Sequence, residues 1–270
     1  MFNRILVPLD GSVPATVALR VGEQLADRWR ADLHVLTLVR KGEIETGVNS
    51  IIERQVAQVS QRPEVTVRPL SYSVADDIAS EFDAVDDTLV VMSTWARGRT
   101  AGMIGNVAED VLRLLRQPIV VIGPQADVGS DWPKGPMFIA TDDSHFGATI
   151  VPVAARMAEQ LAVDTSLITV IDSSAVPAGI DRAAETNVLA GLAGTVESIT
   201  GREVDYDVLH GDDPAKEIVD HARRYGGSMI ALSTHGRSGM ARIAVGSVAM
   251  DVVHNAHCPV LLSRPPVDPH

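Results

Sequence analysis

Gly236, Gly239 and Gly246 punctuate the stretch Ser233-Thr-His-Gly-Arg-Ser-Gly-Met-Ala-Arg-Ile-Ala-Val-Gly-Ser247. Glycine lets backbone N–H groups approach a phosphate closely and takes positive φ without steric cost. Met229–Leu232 upstream reads as a strand and Val248–Ala256 downstream as a helix, so the loop opens a helix whose first amides and dipole favour negative charge. Arg237 and Arg242 add cations, and Ser247 either caps the helix or donates its hydroxyl to phosphate. Gly-Ser before a helix is also an ordinary capping arrangement. The loop has no Gly-Lys-Ser/Thr of a Walker type, and no Gly-x-Gly-x-x-Gly follows the first apolar run. On the loop alone, an anion site and a plain structural turn both stay open.

Asp10 and Asp142 narrow the choice. Each follows the first apolar run of its half and precedes a helix beginning near Ser12 or Ser144. A turn or N-cap aspartate is one reading; an acceptor for a ribose hydroxyl or an adenine amine is the other. Other residues of reactive type carry less. His235 reads as a hydrogen-bonding or stacking residue of the loop. Cys258, before Pro259 and an apolar run, reads as a small buried hydrophobe. His254 and His257 lack the carboxylate or cysteine companions of a metal site, so no metal ligands are assigned. Asp213 before Pro214 reads as an N-cap, and Asp83–Asp87 as a solvated turn. No catalytic residue is assigned.

The elements that must position these groups occur twice. Arg4-Ile-Leu-Val-Pro-Leu-Asp-Gly-Ser12 parallels Pro136-Met-Phe-Ile-Ala-Thr-Asp-Asp-Ser144. Leu33–Val39 parallels Leu167–Ile171, Val65–Leu70 parallels Val204–Leu209, Leu89–Ser93 parallels Met229–Ser233, and Pro118–Ile122 parallels Pro259–Ser263. The loop has its own copy, Ser93-Thr-Trp-Ala-Arg-Gly-Arg-Thr-Ala-Gly-Met-Ile-Gly-Asn106, which lacks the early glycines. Short apolar β-branched runs alternate with helical stripes such as Ala18, Val21, Leu25 and Trp29, or Ile150, Ala154, Met157 and Leu161. That alternation predicts two tandem α/β domains, each a doubly wound, Rossmann-like parallel sheet of five strands. The expected boundaries are residues 1–125 and 137–265, with 126–136, rich in Gly, Ser, Asp and Pro, as linker. In such sheets ligands sit at the carboxyl ends of the strands, where both aspartates and both loops fall.

The chain has 270 residues, 46% of them hydrophobic, and a formal net charge of −12. That balance supports proper cores and argues against nucleic acid or anionic membrane as partners. A single cysteine excludes an internal disulfide, and no apolar run has the length of a membrane span. With no signal-peptide pattern at Met1–Gly11, a cytoplasmic location is expected.

In order and spacing, Ile5-Leu-Val-Pro-Leu-Asp-Gly-Ser12, Val208-Leu-His-Gly-Asp-Asp-Pro214, Ser233-Thr-His-Gly-Arg-Ser-Gly, Gly246-Ser-Val-Ala249 and His257-Cys-Pro-Val-Leu-Leu262 resemble the universal stress protein family in its tandem form. The resemblance implies the adenine-nucleotide α-hydrolase-like fold and binding of adenine nucleotide, ATP foremost, with cyclic AMP not separated from it. ATP-binding members carry Gly, two residues, Gly, nine residues, then Gly-Ser or Gly-Thr. Here Ser233 stands at the first glycine position, Gly236 at the second, and Gly246-Ser247 at the last pair. By the same resemblance Asp142 meets the adenosine moiety, Ala140, Val170 and Leu232 line the adenine pocket, and Val248 offers an amide to phosphate.

The first half keeps Pro8 and Asp10, with Leu38 and Met92 at adenine-pocket positions, but Ser93 and Ala96 replace both early glycines and Asn106, after Gly105, replaces the phosphate-facing serine. With Arg97 and Arg99 as electrostatic compensation, a weaker first-domain site is expected. The resemblance further implies a stress-response regulator, a pseudo-dimer through Pro118–Ile122 and Pro259–Leu262, a homodimer and an unidentified regulatory partner, with Mg²⁺ arriving on the phosphates. At most slow ATP hydrolysis is expected, since neither a placed base nor a Walker lysine is present. A scaffold that binds no nucleotide, and an adenylating enzyme, are the alternatives.

Overall fold

The computed structural model describes residues 2–40, 47–94, 106–115, 117–142, 144–171, 182–235 and 245–265. The chain divides into two compact units, Met1–Pro124 and Gln125–His270. In the first, β1 (Arg4–Pro8), α1 (Val13–Trp29), β2 (Asp32–Val39), α2 (Gly47–Val56), β3 (Glu64–Pro69), α3 (Val74–Asp83), β4 (Thr88–Ser93), α4 (Asn106–Leu114) and β5 (Ile119–Ile122) follow one another. The strands pair in parallel in the order β3-β2-β1-β4-β5.

The second unit runs β6 (Met137–Ala140), α5 (His145–Ala148), α6 (Val151–Leu161), β7 (Thr165–Ile171), α7 (Arg182–Thr200), β8 (Asp205–His210), α8 (Pro214–Arg224), β9 (Met229–Ser233), α9 (Ser247–Asn255) and β10 (Val260–Ser263). Its parallel order, β8-β7-β6-β9-β10, repeats that of the first unit. Helix α6 packs on α7 and α8 on α9. Right-handed crossovers put those pairs on opposite faces, so the chain is doubly wound as its periodicity predicts. Central strands β1, β4, β6 and β9 are buried on both faces, which is why they read as unbroken apolar runs.

Local chemistry sets the helix ends. Ser12 caps α1 by accepting the Ala15 N–H, Pro14 sits in the first turn, and Arg30 in the left-handed region closes the helix. Its buried stripe includes Ala18, Val21, Gly22 and Leu25. The corresponding helix of the second unit is split. Ser144 caps the four-residue α5, and Pro152, lacking an N–H and clashing with the preceding turn, starts α6 afresh. The stripe Ile150, Ala154, Met157 and Leu161 is nonetheless buried.

Gln125–Pro136, expected from composition to link the domains, is fastened to the second unit. Asp127 N–H donates to His257 O at 2.9 Å, and the buried Trp132 donates its indole Nε1–H to Ser228 O at 2.7 Å. Gly135 (φ +92°) passes so close to the turn at Gly226 that a Cβ would lie 2.0 Å from that residue's carbonyl oxygen.

Close approach also governs α1, where a Cβ on Gly22 would lie 2.6 Å from Val7 Cγ2 on β1. Gly22→Val should therefore push α1 off the sheet and destabilise the first unit by about 1–3 kcal/mol. Urea unfolding followed by circular dichroism checks this.

Candidate functional site

The site of the second unit begins where β6 ends. The strand carries Ala140 to the sheet's carboxyl edge, and Thr141 N–H extends the ladder to Ile168 O at 3.0 Å. Asp142 comes next, half-buried. Its Oδ1 accepts the Ser144 N–H at 3.2 Å and the Ser144 hydroxyl at 2.5 Å, while Ser144 Oγ accepts the Gly147 N–H at 2.9 Å. The turn reading of this aspartate therefore holds, and the same turn keeps a carboxylate oxygen at the strand end.

Strand β7 contributes Val170, and β9 contributes Leu232 and Ser233. Beyond β9 the backbone of Thr234 is held twice: its N–H donates to Ser263 O at 2.9 Å and its carbonyl accepts the Gly246 N–H at 2.7 Å. The second contact ties the two ends of the glycine loop together. A Cβ on Gly246 would lie 3.0 Å from Thr234 O, which accounts for a glycine there. His235 Nδ1 lies 2.9 Å from Thr234 Oγ1, as fits a hydrogen-bonding loop histidine.

These residues enclose a cavity of about 330 Å³. Ala140, Asp142, Val170, Leu232, Ser233, Gly246, Ser247 and Val248 all line it. Gly236, Arg237 and Gly239 lie outside the described residues. One local expectation needs correction. Gly246, with no side-chain cap, holds the N-cap position of α9, and Ser247 is the first helical residue, exposed beside the cavity. Its hydroxyl therefore does not cap the helix. The unbonded amides of that first turn point out of the helix end, as in every α-helix.

Pro214 and Ile218 of α8 form a further wall that sequence reading assigned only to a capped helix. Asp213 does cap it, accepting the Lys216 N–H at 3.1 Å. The cap signal was visible; the place of this helix beside the strand ends, where it packs against α9 and β7, was not. The cavity thus joins an apolar slot, a carboxylate and a helix start, chemistry suited to a planar heterocycle, a hydroxyl or amine donor, and an anion.

The first unit has a smaller cavity, about 270 Å³, in the equivalent place. Pro8, Asp10, Leu38, Met92 and Ser93 line it, with Val74 and Ile78 where the other unit has Pro214 and Ile218. Asn106 begins α4, its side chain outside the described residues together with Ala96, Arg97 and Gly105. Among the described residues, no group of three His, Cys, Asp or Glu could hold a metal ion, and no helix is long and apolar enough to cross a membrane.

The universal stress protein family profile matches residues 1–123 and again 136–264. The chain belongs to the universal stress protein family. A universal stress protein of Methanocaldococcus jannaschii is 42% identical over 66 residues, 24% of this chain and 38% of that protein. One from Mycobacterium tuberculosis is 27% identical over 184 residues, 65% of this chain and 61% of the relative. The chain thus covers less than two thirds of the length of each. Among solved structures, a universal stress protein from Archaeoglobus fulgidus shares the fold at a TM-score of 0.67 and 17% identity, over 97% of this chain and 98% of that one.

Cys258 is not among the described residues that line either cavity. Cys258 is buried beside β9, and burial pushes its thiol up to about 12. Below that value the thiol stays protonated, hence unreactive, throughout the neutral range. Iodoacetamide at pH 8.5 should label the native protein at least about tenfold more slowly than the guanidinium-unfolded chain, whose thiol returns to the ordinary range near 8.5. Intact-mass spectrometry against time measures the ratio.

Proposed function

We propose that this universal stress protein binds an adenine nucleotide, ATP foremost, in its second unit, and acts in the cytoplasm as a stress-response regulator. The observation that carries the reading is the single cavity in which the apolar walls Ala140, Val170, Leu232 and Ile218, the Asp142 carboxylate and the start of α9 meet. The walls would take the purine, Asp142 a hydroxyl or amine of the adenosine moiety, and the first-turn amides of Ser247 and Val248 the phosphates. Ser247 and the loop cations Arg237 and Arg242 would add donors to the phosphates. Residues that could form a protein-built Mg²⁺ cage are not assembled there among the described residues, so Mg²⁺ would come with the phosphates and keep several waters.

Binding is the function and hydrolysis at most slow, since the described lining holds no lysine and no carboxylate other than Asp142, the group assigned to adenosine. Nucleotide occupancy would present or withdraw a surface for a regulatory protein, with the chain acting as a homo-oligomer. The first unit is the weaker binder because its loop replaces glycine with Ala96 and serine with Asn106.

Mass spectrometry of nucleotide carried through purification, followed by calorimetric titration of the stripped protein with ATP, tests the reading. One equivalent per chain is expected. Asp142→Ala should weaken it about tenfold or more, with Asp10→Ala close to wild type. Two equal sites, or one confined to the first unit, would contradict the assignment, and no binding by any adenine nucleotide would leave a scaffold role.

A further inference from the structure

The two units place the same aspartate turn against different first-turn residues. In each, serine follows the aspartate by two positions and donates its amide to Oδ1: Ser12 to Asp10 at 2.9 Å, Ser144 to Asp142 at 3.2 Å. In each, the serine Oγ accepts the N–H three residues on, from Ala15 at 3.3 Å and from Gly147 at 2.9 Å. The difference is the side chain at that last position. A Cβ on Gly147 would lie 2.2 Å from Asp142 Oδ1 and 3.2 Å from both Asp142 N and Ser144 Oγ. The carboxylate of Asp142 thus occupies the space that a methyl group would take. It also accepts the Ser144 hydroxyl and is half-buried at the cavity. In the first unit Ala15 supplies that methyl group, Asp10 is exposed, and among the described residues it is held by the Ser12 amide alone.

We infer that Gly147 is a positioning residue for the ligand carboxylate: its missing side chain lets Asp142 seat inward, and Ala15 denies Asp10 the same seat. This rests on the proposed nucleotide site and adds a second reason, besides the loop, for unequal units. Gly147 is not needed for backbone conformation. It is helical and is not among the positive-φ glycines, which are Gly11, Gly135, Gly201 and Gly226 among the described residues. The atom nearest the missing Cβ is the far end of a flexible side chain, so alanine is accommodated by moving the carboxylate rather than by unfolding the turn.

Effects on binding and on stability should therefore part company. Gly147→Ala should bind ATP about ten- to hundredfold more weakly, the loss of one charge-assisted hydrogen bond. Its melting temperature should fall by no more than a few degrees, because alanine's better helix propensity offsets part of the hydrogen bonding that Asp142 gives up at Ser144. In an Asp142→Ala background the same substitution should cost no further affinity. Titration calorimetry and thermal melting of the full chain, for wild type, both single variants and the double variant, read all three. Wild-type affinity in Gly147→Ala, or an equal loss with and without Asp142, overturns the inference. If the wild type binds no ATP, the nucleotide reading fails by itself. The crystal structure of Gly147→Ala then decides the positioning: a carboxylate displaced from Ser144 Oγ supports it, and an unmoved one overturns it.

Discussion

Everything at the candidate site hangs on one constraint of a doubly wound sheet. In the second unit β6 lies between β7 and β9, and the chain leaves those neighbours toward opposite faces. The crossover connections diverge there, so a crevice opens between the strand ends at Ala140, Val170 and Leu232, with α8 and the start of α9 as its walls. What the sequence must add is closure. The Thr234 carbonyl does this by accepting the Gly246 amide, which holds the start of α9 at the crevice. The Asp142 turn supplies the opposite lip.

Duplication repeated this constraint faithfully, and the strand orders of the two units are the same. The divergence lies in small groups at the rim. Glycine stands against alanine at the first helical turn, and serine against asparagine at the last helix start, with the strand order untouched. Alanine beneath the aspartate is a stable choice, as Ala15 in its buried cap shows. A fold of this kind can lose or regain a ligand group at little cost to folding, which is how two repeats come to share an architecture and differ in chemistry.

The strands were legible because buried parallel strands need apolar β-branched runs, and the observed ends fall within two residues of the expected ones. Both aspartates could be placed because each ends the first strand of its half, whereas the walls Ala140, Val170 and Leu232 came from the family resemblance. Pro214 and Ile218 came from neither, since their place depends on how α8 packs across the sheet, which no local pattern encodes. The role of Gly147 was hidden for a related reason: it matters through an oxygen atom five residues back in the chain and only once the Asp142 rotamer is known. The split at Pro152 was written in the sequence, but the continuous apolar stripe around it spoke for one helix.

The strap of Gln125–Pro136 bears on what counts as one module of this protein. Its composition suggests a tether, yet Trp132 and Gly135 are fitted into the second unit as tightly as core residues. The repeated segment and the compact unit that contains it are therefore not the same length. The second repeat has recruited the joint itself as a part, so the natural seam of the chain lies at Pro124, a dozen residues before the repeat begins.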